Sequence, residues 1–212
     1  MKKSLLPVAF AAALAAGMLS ACVEMAAVGV GAAVLSSQDR RTTGTQVEDE
    51  GIELRVTNRV SERFGDKVHI NVISYNRSIL ITGEVPDDKV KAEIERIALG
   101  VPNVRGVTND LQVAGVSSLT SRASDATITG KVKARFLDGQ RFSPLHVKVV
   151  TEASVVYLMG IVTESEATAA VELARTTGGV RKVVKLFEYC KPTDAVCQPG
   201  DKPKGEEPAR KK

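Results

Sequence analysis

Cysteine carries the most chemistry in this chain, at Cys22, Cys190 and Cys197. Cys22 ends the run Leu19-Ser20-Ala21-Cys22, which follows Met1-Lys2-Lys3 and an apolar stretch over residues 5–19. A basic start, an apolar stretch of this length and small residues before a cut make an export signal. The stretch falls short of the roughly 20 apolar residues that a membrane span requires. Cys directly after the small residues, with Leu three back, resembles a lipobox. There the thiol takes a diacylglyceryl group and the freed amino terminus a further acyl chain. Several chains exceed the two-signal threshold for stable anchoring. The expectation is a signal peptide over residues 1–21 and lipid on Cys22; the bland alternative is an ordinary signal with a Cys beside it by chance. Val23, rather than Asp, follows the Cys. Resemblance to enterobacterial lipoproteins then implies sorting to the outer membrane, on its periplasmic face.

With Cys22 lipidated, Cys190 and Cys197 remain. An oxidising periplasm and an even remainder invite a disulfide; the alternative is two free thiols in a tail. Their spacing is not a zinc knuckle and no His lies near. The two histidines, His69 and His146, stand at matching positions of a repeat described below. That placement points to shared packing rather than catalysis. No Gly-x-Ser-x-Gly elbow, P-loop or metal-ligand spacing is present, and Gly29-x-Gly31 lacks both a preceding strand and a third Gly. Asp87-Asp88 stands at a helix start, where the macrodipole accounts for it. The chain is expected not to be an enzyme, with no metal and no cofactor beyond the covalent lipid.

The 212 residues hold 29 Lys+Arg and 25 Asp+Glu. Cleavage removes Lys2 and Lys3, leaving too weak a positive balance to argue for nucleic acid as a partner. Aromatics are 4% and Trp is absent, so Val, Ile, Leu and Ala must build the cores. Residues 22–48 are expected to be the lipidated Cys and a flexible tether, and residues 191–212, rich in Pro, Lys and Glu, a disordered tail.

From residue 49 the chain states one pattern twice, about 76 positions apart. Asp49-x-x-Ile52-x-x-x-Val56-x-x-x-Val60 is answered by Asp125-x-x-Ile128-x-x-x-Val132-x-x-x-Phe136. Apolar residues every four positions put one stripe on a helix, and the leading Asp is expected to cap it or meet its dipole. Strand patterns follow at residues 68–73 and 145–150, then at residues 79–85 and 156–162. The second pair carries Gly83 and Gly160 at one register. Gly within a strand marks a bulge or a close approach, expected here to be a helix crossing the sheet. Second helices begin at Asp87-Asp88 and Glu164-Ser165, with apolar faces Val90, Ile94, Ile97 and Ala167, Val171, Ala174. Last strands carry Val104, Val107, Leu111 and Val180, Val183, Phe187. The fold class is α+β, αββαβ twice, each copy a three-stranded sheet with two helices. Copies of roughly 65 residues are marginal alone, so the two are expected to pack together.

Paired αββαβ units with the mid-strand Gly resemble BON domains, here over residues 49–115 and 123–190. The chain is similar to the dual-BON outer-membrane lipoproteins of the DolP/YraP type. The matching pieces are the lipobox, Arg41-Thr42-Thr43-Gly44-Thr45-Gln46-Val47-Glu48-Asp49, Ile70-Asn71-Val72-Ile73-Ser74-Tyr75, and Tyr157-Leu158-Met159-Gly160-Ile161-Val162-Thr163-Glu164. The resemblance implies a non-enzymatic protein that maintains the outer-membrane barrier and binds anionic phospholipid through its second BON domain. It also implies gathering at division sites and a link to the β-barrel assembly machinery.

Charge divides unevenly between the copies. Residues 47–116 hold 9 Lys+Arg against 12 Asp+Glu, and residues 117–189 hold 10 against 7. A basic domain gains about 1 kcal/mol per Lys or Arg near an anionic leaflet. On the first helix of the second copy, Leu137 falls about 180° and Lys133 about 140° from Ile128, at 100° per residue. Lys131 and Arg135 flank the core side, and no acid interrupts residues 127–137. An outward Leu beside basic residues fits shallow interfacial insertion, although single exposed Leu residues are common. The expected lipid-binding set is Thr127, Lys131, Lys133, Arg135 and Leu137. A family member has Trp where this chain has Thr127, so the interfacial anchor is weaker here. The rival expectation is a periplasmic scaffold that docks an assembly factor on the acidic first copy.

Overall fold

The computed structural model describes residues 39–115 and 117–198. Cys22 and the signal peptide lie outside them, as do most of the expected tether and the tail beyond residue 198. Helix α1 (Thr43–Phe64) leads into strands β1 (His69–Tyr75) and β2 (Ser78–Val85), then helix α2 (Asp88–Leu99) and strand β3 (Gly106–Asn109). A two-residue strand β4 (Gln112–Val113) continues along β2 after a break at Asp110 and Leu111. The second copy repeats this order as α3 (Leu119–Gly139), β5 (Val147–Glu152), β6 (Val155–Val162), α4 (Glu164–Arg175) and β7 (Lys182–Tyr189). In each sheet the first two strands form an antiparallel hairpin, and the helix crosses over to a third strand parallel to the second. The central strand is therefore the second of each copy, and it is buried along nearly its whole length.

Alternation along those central strands explains the layers. Ile79 and Ile81 join the α1 stripe of Ile52, Val56 and Val60, whereas Leu80 points to the opposite face. Likewise Leu158 packs with Ile128, Val132 and Phe136, while Tyr157 and Met159 point away from them. The away-facing residues of the two copies meet: Tyr75 and Leu80 form one cluster with Val150, Tyr157, Met159 and Ile161. The order is helices, sheet, sheet, helices, because side chains of successive strand residues take opposite faces. Burying the second face gives each small domain apolar contact it lacks alone. Polar bonds border the seam. The Tyr157 hydroxyl donates to Asp110 Oδ2 at 2.6 Å and Asn76 Nδ2 to Glu188 Oε2 at 2.8 Å.

Three expectations change. The leading helices start earlier than Asp49 and Asp125. Thr42 Oγ1 accepts from Thr45 N at 3.1 Å and Ser118 Oγ from Ser121 N at 3.2 Å, so these residues are the N-caps. Residues 43–48, assigned above to a flexible tether, are thus helical.

The two aspartates sit inside their helices, buried, and serve the hairpin turns instead. Asp49 accepts from Arg77 N at 2.6 Å, Asn76 N at 2.8 Å and Ser74 Oγ at 2.6 Å. Asp125 accepts from Ser154 N at 2.8 Å and Ala153 N at 3.0 Å. Each turn is a two-residue loop with both central residues at positive φ: 50° and 66° for Asn76 and Arg77, 48° and 62° for Ala153 and Ser154. Such a hairpin turn favours Gly, and neither copy has one there. A carboxylate bonding both turn N–H groups offsets that strain.

The close approach at Gly83 and Gly160 also differs: it is to the neighbouring strand, not to a crossing helix. A Cβ on Gly83 would lie 2.1 Å from the His69 carbonyl oxygen, and one on Gly160 2.3 Å from that of His146.

Candidate functional site

The α3 surface was the sequence's strongest candidate. Its stripe of Ile128, Val132 and Phe136 is buried, and Leu137 on the far side is 63% exposed. Lys131 and Lys133 are exposed, as is Thr127, whose hydroxyl donates to Ala123 O at 2.9 Å. Arg135 does not join them. It is half-buried and donates through Nη1 to Leu173 O at 2.8 Å, Thr176 Oγ1 at 2.7 Å and Thr177 Oγ1 at 3.2 Å. Those acceptors end α4, where unpaired carbonyls and the dipole favour a cation. Arg59 on α1 repeats the device on Gly100 O at 3.1 Å. Arg135 is thus removed from the expected lipid-facing set, because the repeat uses that position to join two helices. What remains together on the surface is Lys131, Lys133 and Leu137, with the exposed Asp138 following.

Among the described residues, no cluster of His, Cys, Asp and Glu could hold a metal ion. His69 Nδ1 pairs with Glu84 Oε2 at 3.0 Å, and His146 Nδ1 with Glu166 Oε1 at 3.1 Å. His69 opens β1 and His146 immediately precedes β5, and each contributes the carbonyl that abuts Gly83 or Gly160. No helix among the described residues is long and apolar enough to cross a membrane. Cys190 and Cys197 are disulfide-bonded, with Cα atoms 6.2 Å apart. Residues 191–198, placed above in a disordered tail, form the turn they close, with Lys191 N donating to Asp194 Oδ2 at 2.8 Å.

Residues 48–115 and 124–191 each match the sequence model of the BON domain. The chain belongs to the BON-domain family. It is 38% identical over 174 residues to the outer membrane lipoprotein DolP of Haemophilus influenzae, covering 81% of this chain and 90% of that protein. A 21 kDa hemolysin of Actinobacillus pleuropneumoniae is 32% identical, over 71% of this chain and 79% of its own. Osmotically-inducible protein Y of Escherichia coli is 26% identical, over 85% and 92% respectively. None of these names is that of an enzyme.

Sequence reasoning missed a polar junction at the second BON domain. Arg40, in the segment before α1, donates through Nη1 to Glu166 Oε2 at 2.6 Å and Ile161 O at 2.8 Å. Its Nη2 donates to Glu166 Oε1 at 3.0 Å and Cys197 O at 3.1 Å. The Arg40 side chain is only 8% exposed. Glu166 is also the third residue of α4 and accepts from Thr163 N at 2.8 Å, completing a capping box. The capping box was legible in Thr163-x-x-Glu166, but no local pattern tied Arg40 to a residue 126 positions away.

Burial opposes the charge on Glu166, but the Arg40 bonds, the Thr163 N–H and His146 outweigh it and hold the carboxyl at about 2. A carboxyl lowered by folding stabilises the protein above its unfolded value, near 4.5, and that stabilisation disappears as pH falls toward 2. The domain should therefore lose about 2 kcal/mol between pH 5 and pH 2.5 through this group, after allowance for its residual solvent contact. Urea unfolding of the native protein and Glu166→Gln at several pH values checks this: their stabilities should converge as pH falls. At the seam, burial pushes the Glu152 carboxyl up, helped by Glu84 and Asp125 and opposed by His69 and the Thr82 hydroxyl. Tyr157 is held protonated by burial and by its bond to Asp110.

Proposed function

We propose that this protein is an outer-membrane lipoprotein, acylated on Cys22 and facing the periplasm. In this reading its second BON domain binds anionic phospholipid through α3 and so maintains the envelope barrier. The named relative in Haemophilus influenzae supports the membrane assignment. The observation that carries the lipid reading is the surface of α3: Leu137 stands out from the fold beside the exposed Lys131 and Lys133, with Ile128, Val132 and Phe136 turned inward. An apolar side chain among cations suits the boundary between headgroups and acyl chains. Layer order adds support, because it puts the helices of the acidic copy on the far side of both sheets from α3.

Vesicle binding tests this reading by contrasting two kinds of change. Lys133→Glu should weaken binding to phosphatidylglycerol vesicles about tenfold at low salt and less at high salt, because the lost attraction is Coulombic and screened. Leu137→Asp should weaken it at every salt concentration, because apolar burial is not screened in that way. Thr127→Trp should strengthen it by adding an interfacial ring. All three side chains are exposed, so thermal stability should hold. Unchanged affinity in all three variants would sink the proposal.

A second reading rests on the first domain. On α1, Val47 is 63% and Leu54 62% exposed, two turns apart and flanked by Glu48, Glu50 and Glu53. An apolar stripe with acidic borders suits a basic protein surface, such as a component of the β-barrel assembly machinery. In that scaffold reading, lipid contact is incidental. It would gain support if the α3 variants were silent and Leu54→Asp abolished activity in cells.

A further inference from the structure

Arg40 joins the segment that leads from Cys22 to the second domain, although the helix that follows it belongs to the first. Its guanidinium forms two bonds to the Glu166 carboxylate, a fork-on-fork arrangement, and one each to the carbonyls of Ile161 and Cys197. Ile161 lies near the end of β6, and Cys197 belongs to the disulfide-closed turn after β7. One residue later, Arg41 turns to the first domain, bonding Asp49 at 2.8 Å and stacking over the Tyr75 ring at 4.1 Å. The chain is thus tied to both domains in consecutive residues, and to the second domain first.

The place of the tie matters. α3 ends at Gly139, and β5 starts at Val147, opposite Gly160 of β6. The C-terminal turn of α3, with Leu137, therefore lies at the same end of the second sheet as Ile161, Glu166 and Arg40. Arg40 is 18 positions after Cys22, a distance the chain can span by at most roughly 60 Å. Without the clamp, the leash from the membrane would join the fold at the head of α1, on the acidic domain. With it, the leash joins the basic domain at the end that carries Leu137.

We infer that Arg40 is a positioning residue: docked on Glu166, Ile161 and Cys197, it fixes where the lipid anchor pulls, and so turns the Leu137 end of the second domain toward the bilayer. The inference rests on the lipid-binding reading above and adds the means by which anchor and domain act together. A leash raises effective concentration only when its attachment lets both contacts form at once. The Cys190–Cys197 disulfide serves the same end by closing the turn that presents the Cys197 carbonyl.

The test uses the lipidated chain in mixed phosphatidylglycerol and phosphatidylethanolamine vesicles, beside the same chain begun at Val23 in solution. Arg40→Gln and Glu166→Gln remove the two sides of the clamp, and cooperative unfolding of each variant confirms that it folds. Amide exchange of residues 40–42 should rise at least about tenfold in both variants, in both forms, because a local contact is lost. Amine acetylation of Lys131 and Lys133 should be slowed about fivefold by vesicles in the lipidated native chain, and this protection should largely disappear in the variants. In the chain without lipid, native and variant proteins should be labelled alike. Unchanged exchange at residues 40–42 overturns the clamp. Equal protection of native and variant lipidated chains overturns its orienting role alone. Absence of protection even in the native lipidated chain overturns that role together with the lipid reading.

Discussion

Asp49→Ala should destabilise the protein by about 3–5 kcal/mol, the cost of removing one partner from a buried, charged hydrogen-bonded group. The carboxylate is 2% exposed and accepts four bonds: two from turn N–H groups, one from the Ser74 hydroxyl and one from Arg41. With Ala in its place, the N–H groups of Asn76 and Arg77 lose their acceptor, in a turn whose φ values already disfavour these residues. Asp125→Ala removes the two bonds from the turn N–H groups of the second hairpin, so its loss should be smaller, about 2 kcal/mol. Urea unfolding of the two variants gives the comparison. Losses below about 1 kcal/mol at both sites would mean that water replaces the carboxylate at no great cost. Asp49→Asn should recover little, since an amide offers one acceptor oxygen where the carboxylate uses two.

Gly83→Ala should cost about 4 kcal/mol, because it adds a clash to a backbone conformation that side chains avoid. The new Cβ would stand 2.1 Å from a carbonyl oxygen of β1, a backbone atom with no rotamer to change, and φ at Gly83 is 118°. Gly160→Ala meets the equivalent carbonyl at 2.3 Å without the positive φ, so about 3 kcal/mol is expected there. Gly106→Ala is the internal control, as nothing lies within 4 Å of its would-be Cβ. Thermal unfolding should rank the three Gly83, Gly160, Gly106, from most to least damaging. Equal, small effects at Gly83 and Gly106 would show that the hairpin can spread by the needed ångström. This would contradict the seam packing, since β2 is held between the helices on one face and the second domain on the other.

Much of the fold was legible because it depends on periodicity. The stripes Ile52, Val56, Val60 and Ile128, Val132, Phe136 recur every four residues, the spacing that lines one face of a helix over stretches too long for an ordinary strand. Doubling of the pattern about 76 residues on marks two domains of one type, and the family match over residues 48–115 and 124–191 agrees. The inward stripe of α3 also dictated that Leu137 face outward, a consequence of helical geometry alone. Charge partition between the copies needed only counting.

Other features depended on partners far along the chain, and no local spacing encodes them. Asp49 stands before an apolar stripe, as a cap would, but Thr42 supplies that function about two turns earlier. Its true partners, Asn76 and Arg77, come within reach only when the hairpin folds back over the helix. Arg135 looked like one cation among several until α4 packed against α3 and offered its last carbonyls. Gly83 and Gly160 were recognisable as sites of close approach, but whether a helix or a strand approached was set by register, where Gly83 faces Ile70 and Gly160 faces Val147. Arg40 is the extreme case: its value lies in a pairing across 126 positions. The sequence by itself thus determined the elements, their inward faces, the repeat and the unequal charge, since all follow from the chain's own helical and strand periods. Tertiary structure alone decided which polar groups meet, because a hydrogen bond requires atoms about 3 Å apart and only the packed sheets bring them there.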